Sequence, residues 1–353
     1  MTETPTPTTS APVTSAPVLV TGASGFIAQQ VILALLARGY TVRGTVRSLD
    51  KGPALKALLA KENPRAEEIE LFAADLTSDA GWAEAVAGCD YVHHIASPIP
   101  PELPKDADEL IVPARDGALR ALRASKAAGV KRVIMTSSVA AIAYGYDTQP
   151  EVLSEEDWSN PDNLKQNTAY TRSKTIAEKA AWNYLSGAGQ GLELATVNPS
   201  AVLGPVLSGD FSASVEILTQ LMGGKLPAVP KVGFQIVDVR DVAATHVAAM
   251  ETPGAAGHRF IAASDFWWFA DVAKLLREEF PDYRRKIPTG RLPSFLLRFL
   301  SVFNPVMKQV VPELDRKRFV SNEKAQTKLG VSFRPGREAI LDGARSLIAH
   351  KVV

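Results

Sequence analysis

The stretch Val18-Leu-Val-Thr-Gly-Ala-Ser-Gly-Phe-Ile-Ala28, continued by Gln29-Gln-Val-Ile-Leu-Ala-Leu-Leu-Ala-Arg-Gly39, decides how the rest of the chain is read. Val18–Val20 is a short apolar run of the kind buried in a parallel sheet. A turn with two glycines follows, and apolar residues then recur at helical spacing until Gly39 supplies a C-terminal stop. Gly22 and Gly25 let the backbone bend tightly and approach a ligand with no Cβ in the way. The free N–H groups at the start of the helix favour an anion such as a pyrophosphate. The spacing is Gly22-x-x-Gly25-x-x-Ala28 rather than Gly-x-Gly-x-x-Gly, and Ala28 is small enough for close helix–strand packing. A second strand over Tyr40–Val46 makes this the opening of a βαβ unit, which sets it apart from a turn whose small residues serve packing alone.

Strands and helices continue to alternate. The pattern predicts helix Pro53–Lys61, strand Ile69–Ala73, helix Asp79–Ala87, strand Tyr91–Ala96 and a long helix around Ala107–Ala128. Strand Val130–Thr136, helix Thr168–Leu185 and strand Leu192–Val197 follow. Such alternation implies an α/β fold with a doubly wound parallel sheet, right-handed crossovers and ligands beyond the carboxyl ends of the strands. From Gly204 longer pieces rich in Gly and Pro take over, interrupted by a sheet-and-helix segment at Gln235–His246. The expected organisation is a Thr/Pro-rich tail at 1–16, a cofactor-binding domain at 17–203 to which 235–250 return, and a smaller, mainly substrate-binding lobe at 204–353.

With 353 residues, 46% of them hydrophobic, and a net charge of +1, the chain reads as a soluble globular protein. Near-neutral charge gives no footprint for nucleic acid, and no Lys/Arg run marks a polybasic membrane patch. The expected partner is a small molecule, and the expected state a monomer or homodimer. A single cysteine, Cys89, excludes an intrachain disulfide and fits a reducing, cytoplasmic setting. Met1–Pro17, almost all Thr, Pro, Ser and Ala, reads as disordered and lacks the basic start of a secretory signal. Leu292–Val311 is the most apolar long segment, but Arg298, Lys308 and Asn304-Pro305 break it, so it reads as an amphipathic helix pair.

The strand ends carry the chemistry. Strand two runs into Arg47 and then Lys51 with no Asp or Glu before Asp50, so the groups available to a ribose 2′ position are cations suited to a phosphate, which points to NADPH. Asp75, after strand three, is placed to accept from an adenine amino group or to cap the next helix. His93 and His94 are adjacent on a strand, point to opposite faces and have no ligand cluster nearby, so no metal site is read there. Strand five ends in Thr136-Ser137-Ser138. The helix starting near Asn167 carries Tyr170 and Lys174 four apart on one face, so that an ammonium beside a phenol is expected to lower its pKa and let it exchange a proton with a carbonyl or alcohol oxygen. Ser138 is placed to donate a second hydrogen bond to that oxygen.

Taken together, Thr-Gly-Ala-Ser-Gly-Phe-Ile, Val-Arg-Gly-Thr-Val-Arg, Ala-Asp-Leu, Thr-Ser-Ser, Tyr-Thr-Arg-Ser-Lys and Asn198-Pro-Ser-Ala-Val-Leu-Gly-Pro205 resemble the extended short-chain dehydrogenases/reductases. Within them they look like the dihydroflavonol reductase branch with its aldehyde and ketone reductases. The resemblance spans about residues 17–250. It implies a Rossmann-type fold, NADPH as cofactor and a catalytic set of Ser138, Tyr170 and Lys174, with Lys174 also holding the nicotinamide ribose. The implied cofactor set takes Gly22, Ser24, Gly25, Phe26 and Ile27 from the glycine turn. It takes Arg47, Lys51, Asp75, Leu76, Ala96, Ser97 and Thr136 from the strand ends, then Tyr170 and Lys174, with Pro199 and Val202 shaping the nicotinamide pocket and Ser214 as a looser match. The expected reaction is reduction of a hydrophobic aldehyde or ketone, with pocket walls from Pro98–Lys105, Val139–Lys165, Leu207–Gly233 and Phe266–Trp268. The alternatives are a hydroxysteroid-type dehydrogenase, a nucleotide-sugar epimerase or dehydratase using Arg284–Lys286 for a diphosphate, and a non-catalytic NADP sensor.

Overall fold

A computed structural model describes residues 16–98, 106–208 and 213–353, with Ala213 and Ser214 defined by their backbone alone. The tail, most of the Pro98–Lys105 wall and the Ser214 side chain lie outside the described residues. Strands β1 (Val18–Val20), β2 (Val42–Val46), β3 (Glu70–Ala73), β4 (Tyr91–His94), β5 (Arg132–Thr136) and β6 (Glu193–Pro199) form a parallel sheet in the order 3-2-1-4-5-6 inverted about β1. Val18 faces Val42 on one side and Tyr91 on the other. All three residues of β1 are fully buried, as a central strand covered on both faces requires. Because the chain winds outward in both directions from β1, a crevice opens over the carboxyl ends of β1 and β4.

Helices α1 (Phe26–Ala37), α2 (Gly52–Ala60), α3 (Trp82–Val86), α4 (Asp108–Ala127) and α5 (Ala169–Ser186) make the crossovers. On one face α4 packs along α5, and Ala114, Ala118, Leu122, Ala177 and Ala181 pack against Val92, Val133 and Leu194 of the sheet. On the other face α1 packs along a later helix described below. Helix α3 is shorter than the expected Asp79–Ala87. Gly81 sits at φ +80° with Ala73 O only 1.9 Å from where a Cβ would stand, and the Trp82 indole N–H donates to Asp75 O and Ser78 O, so this stretch is a turn.

Beyond β7 (Ala201–Leu203) come α6 (Ala213–Met222), β8 (Val229–Pro230), β9 (Gly233–Asp238), α7 (Val239–Glu251), β10 (Arg259–Ala262) and β11 (Phe266–Trp268). Strand β9 pairs in parallel with β7 and antiparallel with β11, and helix Gly336–Ala349 packs on it. Helix α7 is the partner of α1. Beyond the strands read from the sequence, the sheet has a seventh: β10 lies parallel to β6 at its edge, with Arg259 opposite Thr196. The Leu292–Val311 segment contains two short helices, Ser294–Leu300 and Pro305–Val310.

Candidate active site

The glycine turn is built by residues on three strands. Gly22 sits at φ +65°, and a Cβ there would stand 3.1 Å from Ala96 at the end of β4. Its N–H donates to Thr45 Oγ1 at 3.0 Å. Buried Thr21 accepts from the N–H groups of Ile95 and Ala96 and pairs with His94 Nδ1 at 3.1 Å. These bonds hold the ends of β1, β2 and β4 together. Gly25 caps α1 without any side-chain bond, and no acidic residue occupies the first turn, so the N-terminal N–H groups stay available to an anion. Ser24 and Gly25 are exposed, Ile27 is half-buried, and Ala28 is fully buried where helix meets sheet. Phe26 and Val202 pack into the core, and Pro199 is buried at the end of β6.

Arg47 and Lys51 are exposed just past β2, and no hydrogen bond or ion pair engages either among the described residues. Asp75 accepts from the backbone N–H and the hydroxyl of Thr77 at 2.8 and 2.5 Å. Those bonds hold its carboxyl below the usual carboxylate range, with Arg47 and Arg120 adding to the effect. Leu76 beside it fills the space that Gly117 of α4 leaves open. The Thr136 hydroxyl is engaged by His246 Nε2 at 2.9 Å, and His246 Nδ1 meets His93 Nδ1 at 3.3 Å. His93 Nε2 lies 3.4 Å from Met250 Sδ. One tautomer of each ring satisfies the whole chain, so His93 and His246 are neutral core groups. Burial pushes His93 down to about 3, His94 to about 4 and His246 well below its ordinary value.

At the carboxyl end of β5, Ser138 starts a single 3-10 turn. Its Oγ accepts from Ala140 N at 3.1 Å and lies 3.5 Å from Pro199 O. Helix α5 begins with a reciprocal cap between Thr168 and Thr171, which fixes the first turn and the direction of Tyr170. Tyr170 leaves 45% of its surface exposed, yet its hydroxyl is sheltered, and Ser138 beside it opposes the effect of burial on the phenol. Lys174, one turn on, is buried, donates to Ser97 Oγ at 3.0 Å and sits 5.9 Å from the Tyr170 ring centroid. The four residues Ser97, Ser138, Tyr170 and Lys174 thus converge from the ends of β4 and β5 and one face of α5.

The electrostatics differ from the sequence expectation. The Tyr170 phenol lies above its ordinary value because of burial, opposed by the Ser138 hydrogen bond, and the nearby ammonium faces the ring and Ser97. Burial also lowers Lys174 to about 8, opposed by Glu178. Glu178 was not singled out from sequence. It is fully buried one turn beyond Lys174 and accepts from Ser137, Thr196, Asn198 and Trp182 as well as Arg259. Asn198 in turn donates to Ser138 O at 3.2 Å. The only signal in the sequence is the i, i+4, i+8 spacing of Tyr170, Lys174 and Glu178. Arg284–Lys286 line a surface hollow with Leu226, Pro227 and Arg277.

The sequence pattern of the NAD dependent epimerase/dehydratase family matches residues 18–263, from β1 through β10. The chain belongs to this family, within the extended short-chain dehydrogenases/reductases. It is 37% identical over 321 residues to cinnamoyl-CoA reductase CAD2 of Medicago truncatula, an alignment covering 86% of this chain and 97% of that protein. It is 36% identical over 282 residues to dihydroflavonol 4-reductase of Gerbera hybrida, covering 78% and 75%. Among solved structures, yeast methylglyoxal/isovaleraldehyde reductase Gre2 in complex with NADPH superposes with a TM-score of 0.78 at 28% identity, over 95% of this chain and 99% of that one. Like these family members the chain is an oxidoreductase, reducing carbonyl groups with NADPH.

Proposed function

We propose that the protein reduces a hydrophobic aldehyde or ketone, with Tyr170 giving a proton to the carbonyl oxygen, Ser138 sharing that oxygen through a second hydrogen bond, and Lys174 holding the nicotinamide ribose. The observation that carries this reading is the Lys174 ammonium bonded to Ser97 and facing the Tyr170 ring, with Ser138 beside the phenol. NADPH, when bound, supplies the hydride to the carbonyl carbon. The cradle at Gly22, which a Cβ would crowd against Ala96, and the open N-terminus of α1 suit a pyrophosphate. The unengaged Arg47 and Lys51 suit a 2′-phosphate.

A phenol above its ordinary pKa stays protonated at neutral pH, so Tyr170 enters the reaction as a proton donor. Lys174, buried and charged below about 8, favours the phenolate once the proton has left. Cinnamoyl-CoA, dihydroflavonol, methylglyoxal and isovaleraldehyde, named for the relatives, share a carbonyl, set beside an apolar body in all but methylglyoxal, and we take the substrate to be of that majority kind. We read residues 17–203 with 235–250 as the cofactor domain, 204–353 as mainly the substrate lobe, and the protein as cytoplasmic, with Cys89 a free buried thiol.

Replacement Tyr170→Phe tests the reading because it keeps the ring and its packing. The expected result is a fall in kcat of about 10²–10⁴ with NADPH affinity and melting temperature unchanged. Near-normal turnover would overturn the assignment.

A further inference from the structure

Helix Ser294–Leu300, the turn after it and helix Pro305–Val310 form an ordered projection with an apolar outer side. Phe295, Val302 and Phe303 are about three-quarters exposed, at 74%, 76% and 75%, and Phe299 and Val306 are each 63% exposed. Phe299 and Phe303 pack edge to face with centroids 5.8 Å apart. The inner side is anchored: Leu297 is buried with Val232 and Leu314, and Met307, Val310 and Val311 pack on the same cluster. The Asn304 side chain caps the second helix by accepting from Val306 and Met307. A firmly held element that turns its aromatic residues to water has a use for them.

Charge narrows what covers it. Between Asp282 and Glu313 the chain carries six Lys/Arg, namely Arg284, Arg285, Lys286, Arg291, Arg298 and Lys308, and no Asp or Glu. The whole chain has a net charge of only +1, so this acid-free stretch stands out as a local excess of positive charge in the sequence. One local offset is Asp315, which pairs with Arg298 at 3.6 Å and with Lys231 at 3.5 Å. Two copies meeting through this surface would bring like charges together, which disfavours self-association. Protruding aromatics flanked by cations match the requirements for lying in the interface of an anionic bilayer. No helix among the described residues is long and apolar enough to cross a membrane.

We propose that the 291–308 projection docks the protein on an anionic lipid surface, with Phe295, Phe299, Val302 and Phe303 in the headgroup boundary and Arg291, Arg298 and Lys308 toward the phosphates. The proposal is independent of the catalytic assignment. It departs from the sequence reading, in which no cation run marked a membrane patch, because the six cations are dispersed along 25 residues.

Vesicle flotation of the full chain tests it, using phosphatidylcholine alone and phosphatidylcholine with about 30 mol% phosphatidylserine at low salt. Binding is expected to the anionic vesicles, to drop at least roughly tenfold on the neutral ones, and to weaken as salt rises from about 0.05 to about 0.5 M. The double replacement Phe299→Ser with Phe303→Ser should abolish it, and Arg291→Glu with Lys308→Glu should reduce it, with carbonyl reduction in solution unchanged in both. Absence of binding to anionic vesicles, or binding unaffected by the double Phe replacement, would overturn the proposal. A dimer by light scattering that the same replacement dissolves would also overturn it, assigning the surface to a second copy. An acidic protein retained in place of lipid would overturn it too.

Discussion

Glu178 and Arg259, 81 residues apart in the chain, form a buried ion pair with Nε to Oε1 at 2.7 Å and Nη2 to Oε2 at 3.2 Å. The pair joins α5 to the last strand of the sheet. Arg259 also donates to the carbonyls of Glu155 and Asp157 and stacks 3.8 Å from the Trp158 ring centroid. Every oxygen of the carboxylate is occupied, by Ser137 and Asn198 on one side and Thr196 and Trp182 on the other. Lys174 and Ser138 are therefore positioned by a common hub.

Removing one member of a buried pair leaves the other charge uncompensated. Replacement Arg259→Leu is expected to lower unfolding free energy by about 3–5 kcal/mol in urea titration. A loss below about 1 kcal/mol, the range of surface pairs, would show that the pair is not important to stability.

Lys174 predicts a pH limit on cofactor binding. In the free protein it is charged below about 8 and loses its proton above, so NADPH affinity should decline as pH passes about 8. Lys174→Met should bind weakly at every pH with that decline gone. The stability effect has the opposite sense: the unfolded chain keeps this proton up to the ordinary lysine value of about 10.4, so the group's contribution to stability grows from about 8 upward. Titrating NADPH fluorescence against pH measures the first, and a flat profile in the unmodified protein would contradict it.

The three buried histidines predict acid sensitivity. His93, His94 and His246 stay neutral in the fold, whereas the unfolded chain protonates them near pH ~6.5, so stability falls as pH drops below that value. Each contributes a slope of up to about 1.4 kcal/mol per pH unit. Glu155, Asp241 and Glu313, raised by burial, act with the opposite sign and moderate the total. Urea midpoints between about pH 7.5 and 5 measure it, and an unchanged midpoint would count against the neutral assignment.

Arg47 predicts cofactor choice. Because no Asp or Glu follows β2 before Asp50 and no hydrogen bond or ion pair engages Arg47 among the described residues, NADPH should be preferred over NADH by at least about tenfold, or about 1.4 kcal/mol. Arg47→Ala should remove most of that preference, and equal use of both cofactors by the unmodified enzyme would refute the role.

The parallel sheet and the glycine turn were legible in the sequence because both rest on local pattern: a continuous apolar run, two glycines at a fixed interval and a helical repeat. Tyr170 and Lys174 were legible for the same reason, since i and i+4 share a helix face. The direction of the phenol's shift was not, because it depends on how deeply the hydroxyl is sheltered, a property of distant strands meeting. Glu178 escaped notice because a carboxylate on a helix is ordinarily solvated, and its partner lies beyond four further strands. β10 was missed because four residues between a turn and a loop carry too little periodicity. The bond from the Thr136 hydroxyl to His246 was not legible either, because 110 residues separate the two.

The position of β10 has a consequence for how the protein is made. As the chain leaves the ribosome, β6 emerges about sixty residues before the strand that covers its edge, and Glu178 emerges well before its guanidinium partner. Until Arg259 arrives, the nascent sheet presents unpaired backbone groups and a desolvated carboxylate with no cation. The seven-stranded sheet therefore cannot complete itself until β10 is made, and a fragment ending near residue 203 should aggregate where the whole chain folds.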